Sequence, residues 1–257
     1  MKEFVKDELL VKPFESSKAM GSAAATDFAA AVKSLLKTKE RIRIIFAAAP
    51  SQNDVLAAIV ADQSIDFSRI DGFHMDEYIG LSANAPQGFG NFLHRSIFSL
   101  RDFHAVYYLD GQNPDSEAAC ESYAKLLGEA PIDIVCMGVG ENGHIAFDDP
   151  SVADFNDSKD VKIVKLDEIC RNQQVHDGCF KKLQDVPTHA MTLTVPMLMR
   201  AKYHFCVVPA KTKANAVRIM LTGEIGEYCP CTILRKAPGA ILYLDKESSA
   251  LLTECNQ

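Results

Sequence analysis

The fold is decided by one stretch of the chain, the apolar run IDIVCM at residues 132–137 followed by GVGENGHIAFDDP at residues 138–150. The almost continuous apolar character of residues 132–137 is typical of a strand buried on both faces, as in a parallel sheet covered by helices. The following glycines, acids and proline have loop composition. This stretch therefore predicts a central strand that ends in a loop rich in chemical groups.

Outward from this strand, the same alternation continues in both directions. Further β-rich runs occupy residues 41–47, 71–75, 105–109, 161–166, 191–195, 203–208 and 240–244. Helical patterns lie at residues 22–36, 52–61, 89–100, 115–127 and 211–221, with a short one starting near Asp167. Because strands that alternate with helices form right-handed βαβ units, we predict an α/β fold with a mostly parallel, doubly wound, Rossmann-like sheet and helices on both faces.

Length and composition predict one domain over residues 1–257 and exclude several classes of protein. The chain has 257 residues, 47% of them hydrophobic, and no linker-like segment. Its net charge of −7 disfavours a nucleic-acid-binding surface, which needs clustered Lys and Arg. A charged amino terminus and the lack of an 18-residue apolar run predict neither export nor a membrane span, so we expect a cytoplasmic protein.

The eight cysteines are predicted to be free thiols in a reducing compartment. They are scattered along the chain, several within apolar runs, and no pair has CxxC spacing. The pair Cys229 and Cys231 is too close in sequence for the usual zinc-ligand spacing, so we expect no structural metal.

A carboxylate follows the strand at residues 71–75. Asp76 begins the sequence Asp76-Glu77-Tyr78 directly after Met75. Ligands of open α/β sheets bind beyond the carboxyl ends of the strands, where such a carboxylate can act as a general base. A helix cap or a surface acid is the alternative interpretation.

The loop at residues 138–150 combines three glycines with His144. Glycines let backbone amides approach a ligand closely, and nearby acids can orient the imidazole. The loop also matches G-x-G-x-x-G, the dinucleotide-binding fingerprint, which requires a helix to begin at the third glycine. Loop composition continues through residues 148–157 instead, so the sequence disfavours dinucleotide binding.

Two further loops are candidates for anion binding. Lys213 lies between the strand at residues 203–208 and a helix, a position where a lysine and helical amides attract anions, although an exposed lysine is the simpler alternative. Ser51 follows the strand at residues 41–47, where it either caps the next helix or contacts a ligand.

Three ordered segments resemble the glucosamine-6-phosphate deaminase/isomerase family. They are FHMDEY at residues 73–78, the run at residues 140–150 that contains Gly-His-Ile-Ala-Phe, and VPTHAMTLT at residues 186–194. The resemblance extends over roughly residues 41–244. The 6-phosphogluconolactonases share the fold, but the Met-Asp-Glu-Tyr and Ile-Ala-Phe segments favour the deaminases.

The resemblance implies an activity without metal or organic cofactor, the conversion of glucosamine 6-phosphate to fructose 6-phosphate and ammonia. It implies that Asp76 is the base between C2 and C1, that His144 helps to open the sugar ring, and that Asp149 supports His144. It also implies that Lys213 binds the phosphate. The amides of Gly140 and Gly143 are expected to contact the substrate.

The chain departs from the family pattern at the substrate-binding residues. Asn142 stands where the family usually has an Asp beside the His. Ala48, Ala49 and Ser51 replace a Thr- and Gly-rich phosphate-binding loop, which leaves one hydroxyl. A phosphate-binding Arg of the family falls near Gln174, with Arg171 as a possible substitute. These departures predict a divergent branch with an altered phosphate site.

Two other functions remain open from the sequence. A sugar-lactone hydrolase would use His144 to activate water and would not need Asp76, whereas a non-catalytic sugar-phosphate sensor would need neither acid-base group. The sequence leaves the gluco or galacto configuration of the substrate open. It also leaves the oligomeric state open, a homo-oligomer included.

Overall fold

A computed structural model describes residues 2–255, with only the backbone described for residues 253–255. The strands are β1 (Phe4–Lys6), β2 (Leu9–Pro13), β3 (Ile42–Phe46), β4 (Ile70–His74), β5 (Asp76–Tyr78), β6 (Ala105–Tyr107), β7 (Ile134–Met137), β8 (Val161–Lys165), β9 (His189–Leu193), β10 (Tyr203–Val208) and β11 (Ala240–Leu244). The α-helices are α1 (Ser17–Leu36), α2 (Asn53–Ala61), α3 (Phe89–Leu93), α4 (Ser116–Gly128), α5 (Glu168–His176), α6 (Val195–Met199) and α7 (Ala214–Thr222).

The main sheet has eight strands in the order β1-β2-β11-β10-β7-β3-β4-β6. Every neighbouring pair in it is parallel except the β1–β2 hairpin at one edge. The strand quoted first, β7, lies between β10 and β3. The predicted α/β fold with a mostly parallel, doubly wound sheet is therefore confirmed.

The side chains of β7 explain why this strand is central. Val135 and Met137 pack into the core on one face of the sheet, and Ile134 and Cys136 pack into the core on the other. All four are buried. Since burying such a side chain contributes roughly 1.5–3 kcal/mol, an apolar residue at every position is stable only where both faces are covered.

Three features were not predicted from the sequence. Strands β1 and β2 form an edge hairpin of three and five residues, too short for a recognisable period. The predicted helix at residues 89–100 is α3 followed by a π-helical turn at His94–Phe98. A second, antiparallel sheet of β5, β9 and β8 lies beyond the carboxyl end of β4 and carries the acidic segment Asp76-Glu77-Tyr78, so Asp76 is in a strand and not at a loop start.

The described cysteines are free thiols, six of them buried and Cys179 half-buried; the side chain of Cys255 lies outside the described residues. Cys229 and Cys231 approach each other to 3.5 Å between their Sγ atoms. Within residues 2–255, no helix has the length and apolar character that crossing a membrane requires.

Candidate active site

Asp76 lies where the chain leaves the main sheet and joins the small one. Its strand β5 pairs antiparallel with β9, and the carbonyl of Met75 accepts a hydrogen bond from Leu193 (2.8 Å). The side chain is 5% exposed. Burial raises the pKa of Asp76 well above its ordinary value, and the charges of Glu77 and Asp148 raise it further. A carboxylate whose pKa is raised in this way is a stronger base than an ordinary aspartate, as general-base chemistry requires.

The loop after β7 folds into two tight turns that carry His144. The amide of Gly140 donates to the carbonyl of His144 (2.9 Å), and the amide of Gly143 donates to the carbonyl of Gly140 (3.0 Å). The imidazole packs on Gly140, where an added Cβ would lie 2.2 Å from the ring. Gly143 has a φ of +86° and leaves no room beside the Sγ of Cys229. Both glycines are therefore required by the path of the loop.

Asp149 lies behind His144, on the side away from the pocket. Its Oδ1 is 3.0 Å from His144 Nδ1, which leaves Nε2 as the ring nitrogen available to a ligand. The N–H is not aimed directly at this oxygen, an alignment that is common before substrate binds. Burial alone would raise the pKa of Asp149, but contact with His144 and donors from Asn142 and Asp167 hold it below its ordinary value.

Asn142 acts on Asp149 and not on the imidazole ring. Its side-chain amide donates to Asp149 Oδ1 and to Asp167 Oδ2, each at 2.9 Å. Its carbonyl oxygen accepts from the backbone N–H of His144 (3.1 Å). Asn142 is therefore next to His144 along the chain but does not contact its imidazole ring, because the side-chain amide points to the carboxylates of Asp149 and Asp167.

Asp76 and His144 line one small pocket of about 50 Å³. Five predicted substrate-binding residues line it too, namely Ala48, Ala49, Ser51, Gly140 and Gln174. Gly143, Arg171 and Lys213 are not among the residues that line it. The structure also adds residues that the sequence did not indicate, including Gln52, Phe89, Phe147 and Gln173.

Arg171 is placed differently from its sequence-based expectation. Its Nη2 donates to the carbonyls of Leu183 (2.8 Å) and Val186 (2.9 Å), and it is not among the residues that line the pocket. The guanidinium therefore ties α5 to the segment before β9. The expectation that Arg171 replaces the family's phosphate-binding Arg is not supported by this geometry.

Lys213 is buried at the end of a short helical turn before α7, and its ammonium has no hydrogen-bond partner among the described residues. Burial lowers its pKa, partly opposed by the charges of Asp177 and Glu141. A buried, unpaired ammonium is costly in the unliganded protein, so the position favours an anionic ligand.

Two neighbouring cavities have a different character. A cavity of about 540 Å³ lies on the other face of β5, lined by Glu77, Gly90, His94 and Tyr108 among others. A cavity of about 280 Å³ shares Ala48, Ala49 and Phe89 with the pocket and has mostly apolar walls. Of these three cavities, we place the candidate site in the pocket of about 50 Å³. It is the one lined both by a carboxyl with a raised pKa, Asp76, and by an imidazole paired with a carboxylate, His144.

A metal ion is not needed to explain the buried groups behind the pocket. Donor atoms of His144, Asp149 and Cys170 lie within 4.8 Å of one another. The imidazole and the Asp149 carboxylate already pair with each other, and Asp149 and Cys170 are wholly buried. We therefore assign Asp149 to supporting His144.

Over most of its length the chain is similar to proteins of one family. A family model described as glucosamine-6-phosphate isomerases/6-phosphogluconolactonase matches residues 15–243. A glucosamine-6-phosphate deaminase of Bacillus cereus (strain B4264) is 33% identical over 223 residues, 87% of this chain and 83% of the relative. One from Listeria monocytogenes serotype 4a (strain HCC23) is 30% identical over 215 residues, 84% of this chain and 90% of the relative.

Solved structures show the same fold. A monomeric glucosamine-6-phosphate deaminase superposes with a TM-score of 0.84 at 25% identity and covers 94% of this chain and 99% of its own. A 6-phosphogluconolactonase from Thermotoga maritima has a TM-score of 0.74 at 19% identity, over 93% of this chain and 100% of its own, a likeness of fold alone. The chain belongs to the glucosamine-6-phosphate isomerase/6-phosphogluconolactonase family.

Proposed function

We propose that this protein is an amino-sugar-phosphate deaminase/isomerase that converts glucosamine 6-phosphate and water to fructose 6-phosphate and ammonia. The observation that carries the proposal is that the Asp76 carboxyl and the His144 imidazole line the same pocket. The curated relatives that share 30–33% of their residues with this chain are glucosamine-6-phosphate deaminases.

The reaction assigns a separate task to each group. Asp76 takes the proton from C2 of the open-chain sugar and returns it to C1, which requires one base within reach of both carbons. His144, oriented by Asp149, moves a proton between the ring oxygen and O1 to open the ring. Asn142 holds Asp149 in place through the hydrogen bond between them.

The substrate phosphate is assigned to Lys213, helped by the amides and side chains of residues 48–51 and by Gln174. The unpaired, buried ammonium of Lys213 supports this assignment, because a phosphate supplies the charge that is missing there. The neutral lining of Ala48 and Ala49 leaves the phosphate with fewer charged partners than a guanidinium would give. The phosphate is therefore expected to be bound weakly.

The alternative of a sugar-lactone hydrolase is less supported. Lactone hydrolysis has no proton shuttle between two carbons, so it gives no role to a buried base such as Asp76. A sensor without catalysis gives no role to either group. We further propose a cytoplasmic location, because free thiols are typical of proteins in a reducing compartment.

The test is an ammonia-release assay on hexosamine 6-phosphates of gluco and galacto configuration and on the unphosphorylated sugars. We expect release from a phosphorylated amino sugar with formation of the ketose phosphate. Hydrolysis of 6-phosphogluconolactone without any ammonia release would replace the proposal with the lactonase alternative.

A further inference from the structure

A row of polar side chains crosses the small antiparallel sheet and ends at Asp76. Asp76 of β5 lies opposite Thr192 of β9, and Thr192 lies opposite Lys162 of β8. Directly opposed residues of antiparallel strands project from the same face of the sheet, so these three side chains form one row. The hydroxyl of Thr192 also accepts a hydrogen bond from the amide of Phe147 (3.0 Å), which lays the following residue over the row.

That following residue is Asp148, a carboxylate with no contact to solvent. Neither of its oxygens has a hydrogen-bond partner among the described residues. Lys162 Nζ lies 3.2 Å from its Oδ1, at ion-pair distance but off the hydrogen-bonding direction. The same ammonium donates to Asp157 Oδ2 (2.9 Å) and to the carbonyl of Val152 (2.7 Å), on the solvent side.

The charge on Asp148 is set by a balance of opposed effects. Burial raises its pKa to about 7, Lys162 opposes this rise, and the like charges of Asp157 and Asp149 add to it. The pKa of Lys162 is raised, because the attraction of Asp148 and Asp157 exceeds the effect of burial. Removing the ammonium would therefore leave Asp148 protonated to higher pH.

The charge of Asp148 acts on Asp76. Besides burial, its pKa is raised by Glu77, on its own strand but the opposite face, and by Asp148 from the loop above. His144 lines the same pocket. Of the two neighbouring carboxylates, Glu77 is bound by three backbone amides, whereas the charge of Asp148 depends on one lysine.

We propose that Asp148 and Lys162 are positioning residues that set the proton affinity of Asp76 through the charge of the Asp148 carboxylate. The mechanistic meaning rests on the proposed function, in which Asp76 moves a proton between two carbons. A base that must both take and return a proton works best when its affinity for the proton matches the working pH. An ionised Asp148 strengthens Asp76 as a base, and Lys162 decides at which pH that ionisation occurs.

The direct test is a carbon NMR titration of the Asp carboxyl groups in the full chain without substrate. The resonance of Asp76 is identified by its absence from Asp76→Asn. In Asp148→Asn the titration midpoint of Asp76 is expected to fall by about half a pH unit or more, since a like charge has been removed. An unchanged midpoint in a folded Asp148→Asn protein overturns the proposal.

Lys162→Met provides a second variant that does not depend on the first one folding. With Asp148 then protonated at neutral pH, the Asp76 midpoint is expected to fall in the same direction. In Asp148→Asn the further change Lys162→Met is expected to add nothing. An effect of Lys162→Met that persists in full on that background would show that Lys162 acts on Asp76 without Asp148, and the proposed route would be wrong.

Asp157→Asn is the matched control, because it removes the other carboxylate that contacts Lys162, one that is not among the charges raising the pKa of Asp76. It is expected to move the Asp76 midpoint less than half as far as Asp148→Asn does; an equal shift contradicts the proposal. The acid limb of kcat/KM for ammonia release is expected to follow the NMR midpoints. Shifted midpoints in a protein that releases no ammonia would sustain the charge coupling and reject the proposed function alone.

Discussion

At the scale of single residues, two ionisable groups of the candidate site, Asp76 in the pocket and Lys213 outside its lining, lie in surroundings that disfavour their charged forms. Burial raises the pKa of Asp76 and lowers the pKa of Lys213. The unliganded protein bears the cost of both. A ligand with an anionic group for Lys213 and an acidic C–H for Asp76 would stabilise the charged lysine and use the strong base. Destabilised ionisable groups of this kind are common at functional sites.

Asp76→Asn is expected to reduce ammonia release by about 10²–10⁴-fold while sugar-phosphate binding survives, because the amide keeps the shape but cannot take a proton. Initial rates and a calorimetric Kd for the sugar phosphate measure the two effects. Asp102→Asn is the control, since Asp102 is exposed and is not among the residues that line the pocket. A variant that retains at least half of the parent rate would remove Asp76 from the mechanism.

Lys213→Met is expected to raise KM for the phosphorylated substrate by roughly tenfold to a hundredfold, with a smaller change in kcat, because a charge-assisted contact is lost. It is also expected to raise the free energy of unfolding of the unliganded protein. The folded pKa of Lys213 lies below 10.5, so the destabilisation caused by the buried ammonium is full at low and neutral pH. It disappears as pH rises towards 10.5.

Chemical denaturation at pH 7 and pH 10 measures this stability difference. The control is Lys211→Met, which changes an exposed lysine of the same turn and should leave KM and stability nearly unchanged. A Lys213→Met protein that is less stable than its parent at neutral pH would show that the ammonium has a partner in the native state.

Asn142→Asp is expected to destabilise the protein by about 1–3 kcal/mol at neutral pH, because the donor to Asp149 and Asp167 becomes a third carboxylate. The new carboxyl has a folded pKa above its unfolded value of about 4, so its penalty appears as pH rises through 4 and is absent below it. Urea unfolding at pH 4 and pH 7.5 provides the comparison. A penalty that does not depend on pH would point to packing instead of charge.

At the scale of secondary-structure elements, the turn between β10 and α7 is strained. Ala210 has φ +80° and ψ 147°, a region of backbone conformation that is essentially restricted to glycine. The buried Asp245 carboxylate accepts a hydrogen bond from its amide and fixes the turn. This conformation brings Lys213 to the start of α7, so the strain belongs to the candidate phosphate site.

Ala210→Gly is therefore expected to stabilise the protein by about 1 kcal/mol, since the relief of strain exceeds the added entropy of the unfolded chain. The melting temperature should rise by about 2–4 °C for a chain of this size. Ala214→Gly is the matched control, because Ala214 has an ordinary helical φ of −57°, and there glycine should lower stability. A loss of stability in both variants would contradict the assignment of strain.

At the scale of the whole molecule, two buried groups give the stability of the fold opposite dependences on pH. Burial lowers the pKa of His74 to about 3 and raises that of Asp148 to about 7. The unfolded chain binds more protons at His74 between pH 3 and 6.5, so this term increases stability as pH rises. The native state binds more protons at Asp148 between about pH 4 and 7, so that term decreases it.

Asp148→Asn is expected to remove the falling contribution of Asp148 and to leave the rising contribution of His74 in place. Relative to the parent, the variant should gain a few kcal/mol of unfolding free energy between pH 4 and pH 7. Urea denaturation at half-unit intervals of pH measures the difference. A difference that stays constant over this range would show that Asp148 has an ordinary pKa in the native state.

The candidate catalytic groups were accessible from the sequence, and their supports were accessible only in part. Asp76, His144 and Asp149 lie in short motifs whose meaning does not depend on distant segments. Asp167 could be recognised from the sequence near the start of a helix, where it caps α5, but its hydrogen bond with Asn142 could not be predicted. Lys162 gave no signal, and Thr192 appeared only as part of the segment at residues 186–194, because their relation to Asp76 arises from the pairing of strands that are far apart in the chain.

The sequence by itself determined that β7 is a strand covered on both faces and that the chain alternates strands with helices, because hydrophobic periodicity is a local property of the chain. It also determined which residues could act as base and as imidazole relay. Only the tertiary structure decided that Asp76 lies in a second sheet, that Asn142 turns to Asp149, and that Arg171 binds carbonyls away from the pocket. Those outcomes depend on which donors and acceptors from remote segments come within about 3 Å of one another, and spacing along the chain does not encode that distance.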